Sequence, residues 1–353
     1  RLRVWEATIG RVKLYLLDSN DPLNRPGDRG ITGQLYGGGP ELRFLQEAVL
    51  GIGGWMALEA LGIEPDICHL NEGHAAFAVL ERARAYERRH GVSFEVALWA
   101  TRPGNVFTTH TPLEAAFDRF QPALIGSFAS HIEIYAKHLG IDAEALNALG
   151  RFDPEATGTE QLPAYMALRT SGSINGVSEL HGAVSRRLFS GLFPRWPLDE
   201  VPVTHVTNGV HMPTWDSPQM DRVWERACGK ERWRKPLSGC EDNFQSITDE
   251  ELWATRSEAR AALLQYVRRT LALQKGFRGG TPEEIEDARH VLDPNALTVG
   301  FARRFTEYKR PDLLLRNTDR LAGLLIDPDR PMQLVIAGKA HPHDDWGKRA
   351  IQA

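Results

Sequence analysis

Short apolar runs that end in polar or charged residues recur along the chain, and helical patterns often follow them. Five such runs are IEPDICHLNEGH (63–74), GNVFTTHTP (104–112), PVTHVTNGVH (202–211), ALTVGFARR (296–304) and MQLVIAGKAHP (332–342). Strands that alternate with helices are typical of a parallel, doubly wound α/β sheet. Ligands bind outside the carboxyl ends of strands in such sheets. The five polar clusters therefore predict a binding cleft, whereas any one of them alone is typical of a plain loop.

Between residues 217 and 295 the pattern becomes helical. The stretch 247–274 carries apolar residues at helical spacing, and a threonine with a glutamate three residues later begins it, as again at 281–284. This pairing is a helix-capping signature. We predict a helical insert or linker at about 217–292 that joins two α/β domains. The first covers 1–292, and 293–353 begins the second.

The two ends of the chain both fall inside predicted elements. RLRVWEATIGRVKLYLLDS (1–19) has the pattern of a strand within a sheet, and the last residues follow MQLVIAG (332–338) with a helical pattern. We therefore expect an internal fragment of a longer protein, with both α/β domains incomplete.

Composition narrows the possible partners. The 353 residues have a formal net charge of -4, with 42% hydrophobic and 25% charged residues. This balance suits a large globular core and argues against a general nucleic-acid or membrane-surface binder. No apolar run is long enough to span a bilayer. The three cysteines lie at no metal-binding spacing, which indicates reduced thiols and a cytoplasmic setting.

Cations cluster where the fourth apolar run ends. Arg303, Arg304, Lys309 and Arg310 fall within eight residues, and Lys339 follows the fifth run. Positive charge at the start of a predicted helix opposes the helix dipole, so local stability does not explain it. Free N–H groups at that helix start and arginine side chains both favour a bound phosphate or carboxylate. The alternative is a set of surface ion pairs with the neighbouring acids Glu307, Asp312 and Asp319.

Seven stretches together resemble one family. They are LYGGGPELRFLQE (35–47), HLNEGHAAFAVLERAR (69–84), FTTHTP (107–112), INGVSELHGAVSR (174–186), HVTNGVHMPTW (205–215), GFARRFTEYKRPDLLL (300–315) and VIAGKAHP (335–342). In this order they resemble the α-glucan phosphorylases of the glycogen and maltodextrin type, most closely the compact bacterial and archaeal branch.

The resemblance implies a fold and a reaction. The fold would be two Rossmann-like domains of the GT-B glycosyltransferase type, with a catalytic cleft between them. Inorganic phosphate would remove the terminal unit of an α-1,4-glucan reversibly and yield glucose 1-phosphate. Pyridoxal 5'-phosphate would be the cofactor, acting through its phosphate rather than its aldehyde. Homo-oligomerisation is left open.

By the same resemblance, the cations and one histidine acquire roles. Arg304 and Lys309 would hold the attacking phosphate, while Arg303 and Lys339 would lie by the cofactor phosphate. Adjacent dianions repel strongly, so several cations are needed to hold them together. His110 matches the position that meets the glucosyl unit. Without the resemblance, His110 would be interpreted as a core or turn histidine.

Sugar-binding roles follow in the same way. Asn208 offers a donor and an acceptor for sugar hydroxyls, although Asn-Gly is also a turn signal. Glu72 and His74 would lie at the acceptor-sugar subsite. Tyr36 and the glycines after it would form a flexible loop near the sugar, with a plain turn as the alternative.

Three further side chains have weaker assignments. Asn175 and His181, in a segment with a helical pattern, would support the site. His69 with His74 does not form the His-Glu-x-x-His order of a zinc site, so we predict no metal.

The chain departs from the family pattern in three respects. The family's glycine-rich loop and its Schiff-base lysine motif would fall outside residues 1–353, and THTPLEAAFDRF lacks the usual Pro-Ala-Gly after THTP. None of the lysines present matches the Schiff-base position. We therefore expect the isolated chain to be inactive. Two alternatives stay open, a sugar-nucleotide-dependent GT-B glycosyltransferase and a non-catalytic glucan-binding remnant.

Overall fold

A computed structural model describes residues 1–35, 38–114, 117–234, 238–341 and 344–352. The chain divides into two compact units, Arg1–Gly209 and Val210–Ala353. The sequence-based boundary near residue 292 falls inside the second of these units, and the domain assignment stays a prediction. Among the described residues, no helix has both the length and the apolarity to cross a membrane.

A parallel sheet forms the centre of the first unit. Its strands, in spatial order, are β3 (Cys68–Asn71), β4 (Asn105–Thr108), β5 (Ser173–Gly176) and β6 (Thr204–His205). Each neighbouring pair is parallel. Leu70 lies opposite Phe107, and Phe107 lies opposite Ile174. These three apolar side chains are almost fully buried, as expected for a sheet that helices cover.

Helices pack around this sheet. In the first unit they are α1 Pro40–Ala48, α2 Gly54–Ala60, α3 Ala78–His90, α4 Phe94–Thr101, α5 Pro122–Ser127, α6 Ala129–His138, α7 Ala143–Ala148, α8 Pro163–Arg169 and α9 Glu179–Phe189. Val79 and Leu80 of α3 join Leu70 and Phe107 in the core. Residues 163–168 of α8 are all buried. The prediction of a parallel α/β fold is confirmed for this unit.

The first nineteen residues form a hairpin rather than one strand. Strand β1 (Arg3–Ile9) pairs antiparallel with β2 (Val12–Asp18), and Ile9 lies opposite Val12. The two-residue turn begins with Gly10, whose φ of +61° suits glycine. The single strand expected over these residues is therefore wrong.

A second correction concerns Asn175. The segment around it was predicted as helical, but Ser173–Gly176 is strand β5, and helix α9 begins only at Glu179. The Ser178 side chain caps that helix by accepting from the His181 backbone N–H at 3.2 Å. Asn175 therefore lies in the sheet and His181 on the helix.

The second unit begins with helices. They are α10 Met212–Trp215, α11 Pro218–Cys228, α12 Cys240–Gln245, α13 Asp249–Phe277 and α14 Pro282–Ala288. Thr248 caps α13 by accepting from the Glu251 N–H, and Thr281 with Glu284 forms a complete capping box on α14. The helical character predicted between residues 217 and 292 is confirmed.

A disulfide joins α11 to α12. It links Cys228 to Cys240, whose Cα atoms are 5.0 Å apart, while Cys68 is a free thiol. The expectation of reduced thiols is therefore wrong for this pair. The two cysteines are twelve residues apart in the sequence, and the packing of α11 and α12 brings them together. The cytoplasmic setting stays a prediction.

A two-stranded parallel sheet follows the helices. Strand β7 (Leu297–Ala302) pairs with β8 (Met332–Ala337), with Ala302 opposite Ala337. After β7 come two short 3-10 turns, and helix α15 begins only at Thr318 and ends at Leu325. The α-helix start predicted beside the cations is therefore wrong, because the α-helix begins eight residues after Arg310. Helix α16 covers Asp345–Gln352.

Candidate functional site

Polar side chains join the carboxyl ends of three strands in the first unit. The Thr108 hydroxyl on β4 donates to Asn175 Oδ1 on β5 at 2.9 Å and lies 2.7 Å from His69 Nε2 on β3. The Asn175 amide donates to its neighbouring carbonyl, that of Gly176. These contacts hold the strand ends together, and the supporting role of Asn175 at a site stays a prediction.

Glu72 follows β3 and is buried, with 8% of its surface exposed. Its carboxylate accepts from the Thr109 hydroxyl at 3.2 Å, the His110 backbone N–H at 2.7 Å and the Thr111 hydroxyl at 2.8 Å. The family resemblance assigned Glu72 to an acceptor-sugar subsite. In the structure its carboxylate oxygens bond to the 109–111 loop.

His110 and Asn208 differ from Glu72, because both are exposed. Within the described part of the chain, neither side chain has a hydrogen-bond partner, and the His110 contact uses only its backbone. The Asn208 N–H donates to the Val177 carbonyl at 3.1 Å, which extends the pairing of β5 with β6. Asn208 thus follows β6 in a stretch with no assigned turn.

His74 lies in a charged network with residues from two other segments. Its Nδ1 contacts Arg43 Nη2 and is 3.1 Å from Asp118 Oδ2 and 3.7 Å from Glu47 Oε1. Arg43 also pairs with Asp118 at 3.0 Å and, through Nε, with Glu47 at 3.3 Å. Arg43, Glu47 and His74 line a cavity of about 740 Å³ in the first unit.

Burial and charge shift the pKa values in this network. Desolvation raises the pKa of the Glu47 carboxyl to about 7, against the influence of His74 and Arg43. Burial disfavours the His74 imidazolium, but hydrogen bonds with Asp118 and Glu47 outweigh it and raise its pKa to about 9. Burial opposes ionisation of Asp118 as well, yet bonds with His74 and Arg43 hold its pKa well below the usual range. The direction of the His74 shift favours the charged imidazolium over the neutral ring.

The same network bears on metal binding. Glu47, His74 and Asp118 could each offer a ligand atom, and these atoms lie within 4.8 Å of one another. The Arg43 guanidinium already contacts all three residues. A divalent ion would meet a fixed positive charge at its own position, so the arrangement favours an ion-pair network over a metal site.

The predicted anion-binding cations lie at the carboxyl edge of the second unit's sheet. Arg303 and Arg304 directly follow β7, and Lys339 follows β8; all three are exposed. Two backbone bonds keep the two loops together, from Arg303 N–H to the Ala337 carbonyl at 3.2 Å and from Phe305 N–H to the Lys339 carbonyl at 3.1 Å. The sheet therefore brings Lys339 beside the arginine pair.

Ion pairing does not account for these cations. Within the described ranges, Arg303, Arg304, Lys309 and Arg310 make no salt bridge. Asp312 pairs instead with Arg316, at 3.4 Å. The Lys309 ammonium lies 5.5 Å from the centre of the Tyr308 ring. Like charges on neighbouring segments repel one another, and a bound anion would relieve that repulsion.

Comparison with known proteins adds to this geometry. A model of the carbohydrate phosphorylase family matches residues 63–353.

The chain belongs to the carbohydrate phosphorylase family.

Curated relatives in this family cover almost all of the chain. A glycogen phosphorylase of Mycobacterium tuberculosis is 42% identical over 360 residues, which are 100% of this chain and 41% of the relative. A maltodextrin phosphorylase of Thermococcus litoralis is 38% identical over 99% of this chain and 40% of its own length. A glycogen phosphorylase of Aquifex aeolicus is 35% identical over 99% of this chain and 49% of its own length. The chain thus spans between two fifths and half of these phosphorylases.

The predicted site residues fall in both units. Glu72, His74, His110 and Asn208 lie in the first unit, and the cations lie in the second. Tyr36 lies outside the described residues.

Sequence reasoning missed Arg43, Glu47 and Asp118. Arg43 and Glu47 are four residues apart on α1, a spacing that predicts a pair on one helix face. A charge pair within the motif at 35–47, with a buried glutamate and a half-buried arginine, was therefore foreseeable. Asp118 lies in no motif of the chain, and only the fold brings it to His74.

Proposed function

We propose that this chain is part of an α-1,4-glucan phosphorylase, which transfers a terminal glucosyl unit to inorganic phosphate and forms glucose 1-phosphate. The observation that carries the proposal is the group of cations after β7 and β8, for which the described part of the chain offers no salt bridge. Phosphate is a substrate of this reaction, and such a group suits it. The relatives named glycogen and maltodextrin phosphorylase support the choice of glucan.

Arg304 and Lys309 would bind the attacking phosphate. A guanidinium grips two phosphate oxygens at once and stays charged at any working pH, whereas the ammonium acts as a point charge. Together they would lower the cost of bringing a dianion up to the sugar and would stabilise charge in the transition state.

Arg303 and Lys339 would hold the phosphate of pyridoxal 5'-phosphate. The adjacent loops of β7 and β8, fixed by the Arg303–Ala337 backbone bond, carry both cations, so the donor set fits a phosphate group. When bound, the cofactor phosphate supplies proton exchange with the substrate phosphate. No described lysine matches the family's Schiff-base position, so these residues account for the phosphate end of the cofactor alone.

The first unit would bind the glucan. His110 and Asn208, whose side chains have no hydrogen-bond partner among the described residues, would contact the terminal glucosyl unit. His74, whose raised pKa favours the charged form, would face hydroxyls of the acceptor sugar. Hydroxyl contacts of this kind strengthen as positive charge develops at the sugar ring. Glu72 was placed at the same acceptor subsite by resemblance.

The proposal includes the GT-B architecture. The four-stranded parallel sheet would belong to an N-terminal glucan-binding domain ending near residue 292, and β7 and β8 would begin a C-terminal Rossmann-like domain. Partners would be the α-1,4-glucan and inorganic phosphate, and homo-oligomerisation remains part of the proposal.

The test is a product assay on the intact phosphorylase that carries this sequence. With maltodextrin and inorganic phosphate, we expect glucose 1-phosphate and a glucan shortened by one unit, dependent on added pyridoxal phosphate after the cofactor is stripped. A sugar nucleotide without phosphate serves as the second arm. Glucan extension from the sugar nucleotide, with no glucose 1-phosphate in the first arm, would replace phosphorolysis by nucleotide-dependent transfer.

A further inference from the structure

The backbone of Glu72 has an unusual conformation. Its φ of +67° and ψ of 178° place it in a region that side-chain-bearing residues rarely adopt and that glycine occupies freely. Such strain persists only where the surroundings over-determine it, and it clusters at functional positions. Glycine would adopt this conformation without strain, so the presence of a glutamate calls for a reason.

The carboxylate of Glu72 provides that reason. It makes the three bonds described above, all to consecutive residues 109–111. Glu72 in turn receives support from the strand that precedes this loop, because its own N–H donates to the Thr108 carbonyl at 2.9 Å. The end of β3 and the loop after β4 are therefore locked to each other through one side chain.

The lock acts on His110 without touching its imidazole. The His110 backbone is held by Glu72, Thr109 N–H donates to the Asn175 carbonyl at 3.0 Å, and the imidazole itself is exposed and free in the described part of the chain. A fixed backbone with a free side chain is the arrangement that presents a group to a ligand. Charge-assisted bonds from a buried carboxylate are stronger than neutral ones, which suits this task.

We propose that Glu72 is a positioning residue that holds His110 in its sugar-facing place, rather than a residue that contacts the acceptor sugar. This inference rests on the proposed function for the role of His110, but the lock itself is a property of the fold. Three bonds to one loop leave the Glu72 carboxylate little capacity for a sugar hydroxyl.

Two variants separate the lock from the strain. Glu72→Gly removes the carboxylate and relieves the backbone strain, so its stability should stay near that of the unsubstituted protein. Glu72→Gln keeps the shape, with its oxygen placed to accept from His110 N–H and its amide placed to donate to Thr109. The exposed Glu95 on α4 gives a matched control, Glu95→Gln.

The first measurement is hydrogen exchange of the His110 amide. Loss of a charge-assisted bond should speed this exchange about tenfold to a hundredfold in Glu72→Gly. Glu72→Gln should show a smaller change and Glu95→Gln none. Unchanged exchange at His110 in Glu72→Gly would overturn the proposal.

The second measurement is steady-state kinetics of the intact phosphorylase. A displaced His110 should lower kcat about tenfold or more in Glu72→Gly, with partial recovery in Glu72→Gln and little change in the KM for glucan. A raised glucan KM with an unchanged kcat would show direct sugar contact and overturn the proposal. Absence of phosphorolysis in the unsubstituted enzyme would instead refute the proposed function, and the exchange result would still decide whether the lock exists.

Discussion

Individual side chains at the strand ends fall into two groups, those already bonded to the protein and those free to bind something else. His69, Glu72 and Asn175 have hydrogen-bond partners within the first unit. His110 and Asn208 are exposed, with no side-chain partner among the described residues. All five occur in family motifs. The motifs alone do not show whether a side chain is bonded within the protein or exposed to a ligand, because that depends on which neighbours the fold brings within about 3 Å.

The charge of His74 likewise cannot be predicted from its motif. Its sequence context suggests a sugar contact, but its charge at neutral pH is set by Asp118 and Glu47, on other segments, with Arg43 opposing it. The imidazole also contacts Arg43, so each nearby charge enters the balance. No periodicity in the sequence contains that information.

A stability prediction follows from the raised pKa of His74, about 9 against an ordinary 6.5. A raised histidine pKa contributes stability at pH values below 6.5 that is lost as the pH rises through 9. The raised pKa of Glu47, about 7, also contributes stability at low pH. That contribution is lost as the pH rises from 4.5 to 7, before the contribution of His74 is lost. We expect urea unfolding to show a fall of about 1–3 kcal/mol between pH 7 and 9.5 that is absent in His74→Gln.

The control for this experiment is His131→Gln, since His131 is an exposed histidine of the same unit. It should keep the fall in stability. If His74→Gln and the unsubstituted protein lose stability in parallel over this range, His74 is not held as an imidazolium by its neighbours.

Among the elements, those with strong patterns were predicted well. Five strands lie within the apolar runs quoted from the sequence. They are the strands before Glu72, His110 and Asn208 and both strands of the second sheet. Helix α13 begins at its predicted cap, and its buried residues are Thr255, Leu264 and Ala272, of which one is polar. Capping depends on local sequence alone, whereas the buried face depends on what packs against the helix.

Weakly patterned elements were missed. Strand β5 has the sequence SING, with only Ile174 apolar, and it is a strand because β4 and β6 bond to it on both sides. Helix α15 begins late, where the Asn317 side chain accepts from Arg320 N–H at 2.9 Å. That cap, and Gly10 in the hairpin turn, were visible in the sequence as local signals.

The loop after β8 gives a test of how closely the two cation-bearing loops approach. A Cβ added at Gly338 would lie 2.2 Å from the Arg303 carbonyl oxygen and 2.8 Å from the Phe305 ring. Gly338→Ala must therefore push the loops apart, and we expect a loss of about 1–3 kcal/mol in the free energy of unfolding.

Gly323→Ala is the matched control, because Gly323 lies within α15 with nothing within 4 Å of the added Cβ. Alanine is the better helix former, so this variant should gain about 0.5–1 kcal/mol. Equal stability of the two variants in urea unfolding would show that the loops do not pack as described.

At the scale of the whole molecule, composition excluded classes of partner, and the ordered motifs indicated the family. The family model covers residues 63–353, and the relatives match nearly the whole chain. The residues proposed to face the sugar belong to the first unit, and the cations belong to the second. The proposed function links the two groups through chemistry, since phosphorolysis requires a phosphate held against a sugar.

The phosphate dependence of the reaction tests the central claim, that the cations after β7 bind the substrate phosphate. In the intact phosphorylase, Arg304→Ala should raise the KM for phosphate and lower kcat, while the KM for glucan changes little. Arg304→Lys should recover only part of the loss, because an ammonium keeps the charge but not the two-point grip. Arg310→Ala is the matched control from the same cluster, since Arg310 is exposed and has no salt bridge to any described residue. It should cost under about 1 kcal/mol in kcat/KM for phosphate. A near-normal phosphate KM and kcat in Arg304→Ala, with Arg310→Ala impaired, would contradict this account.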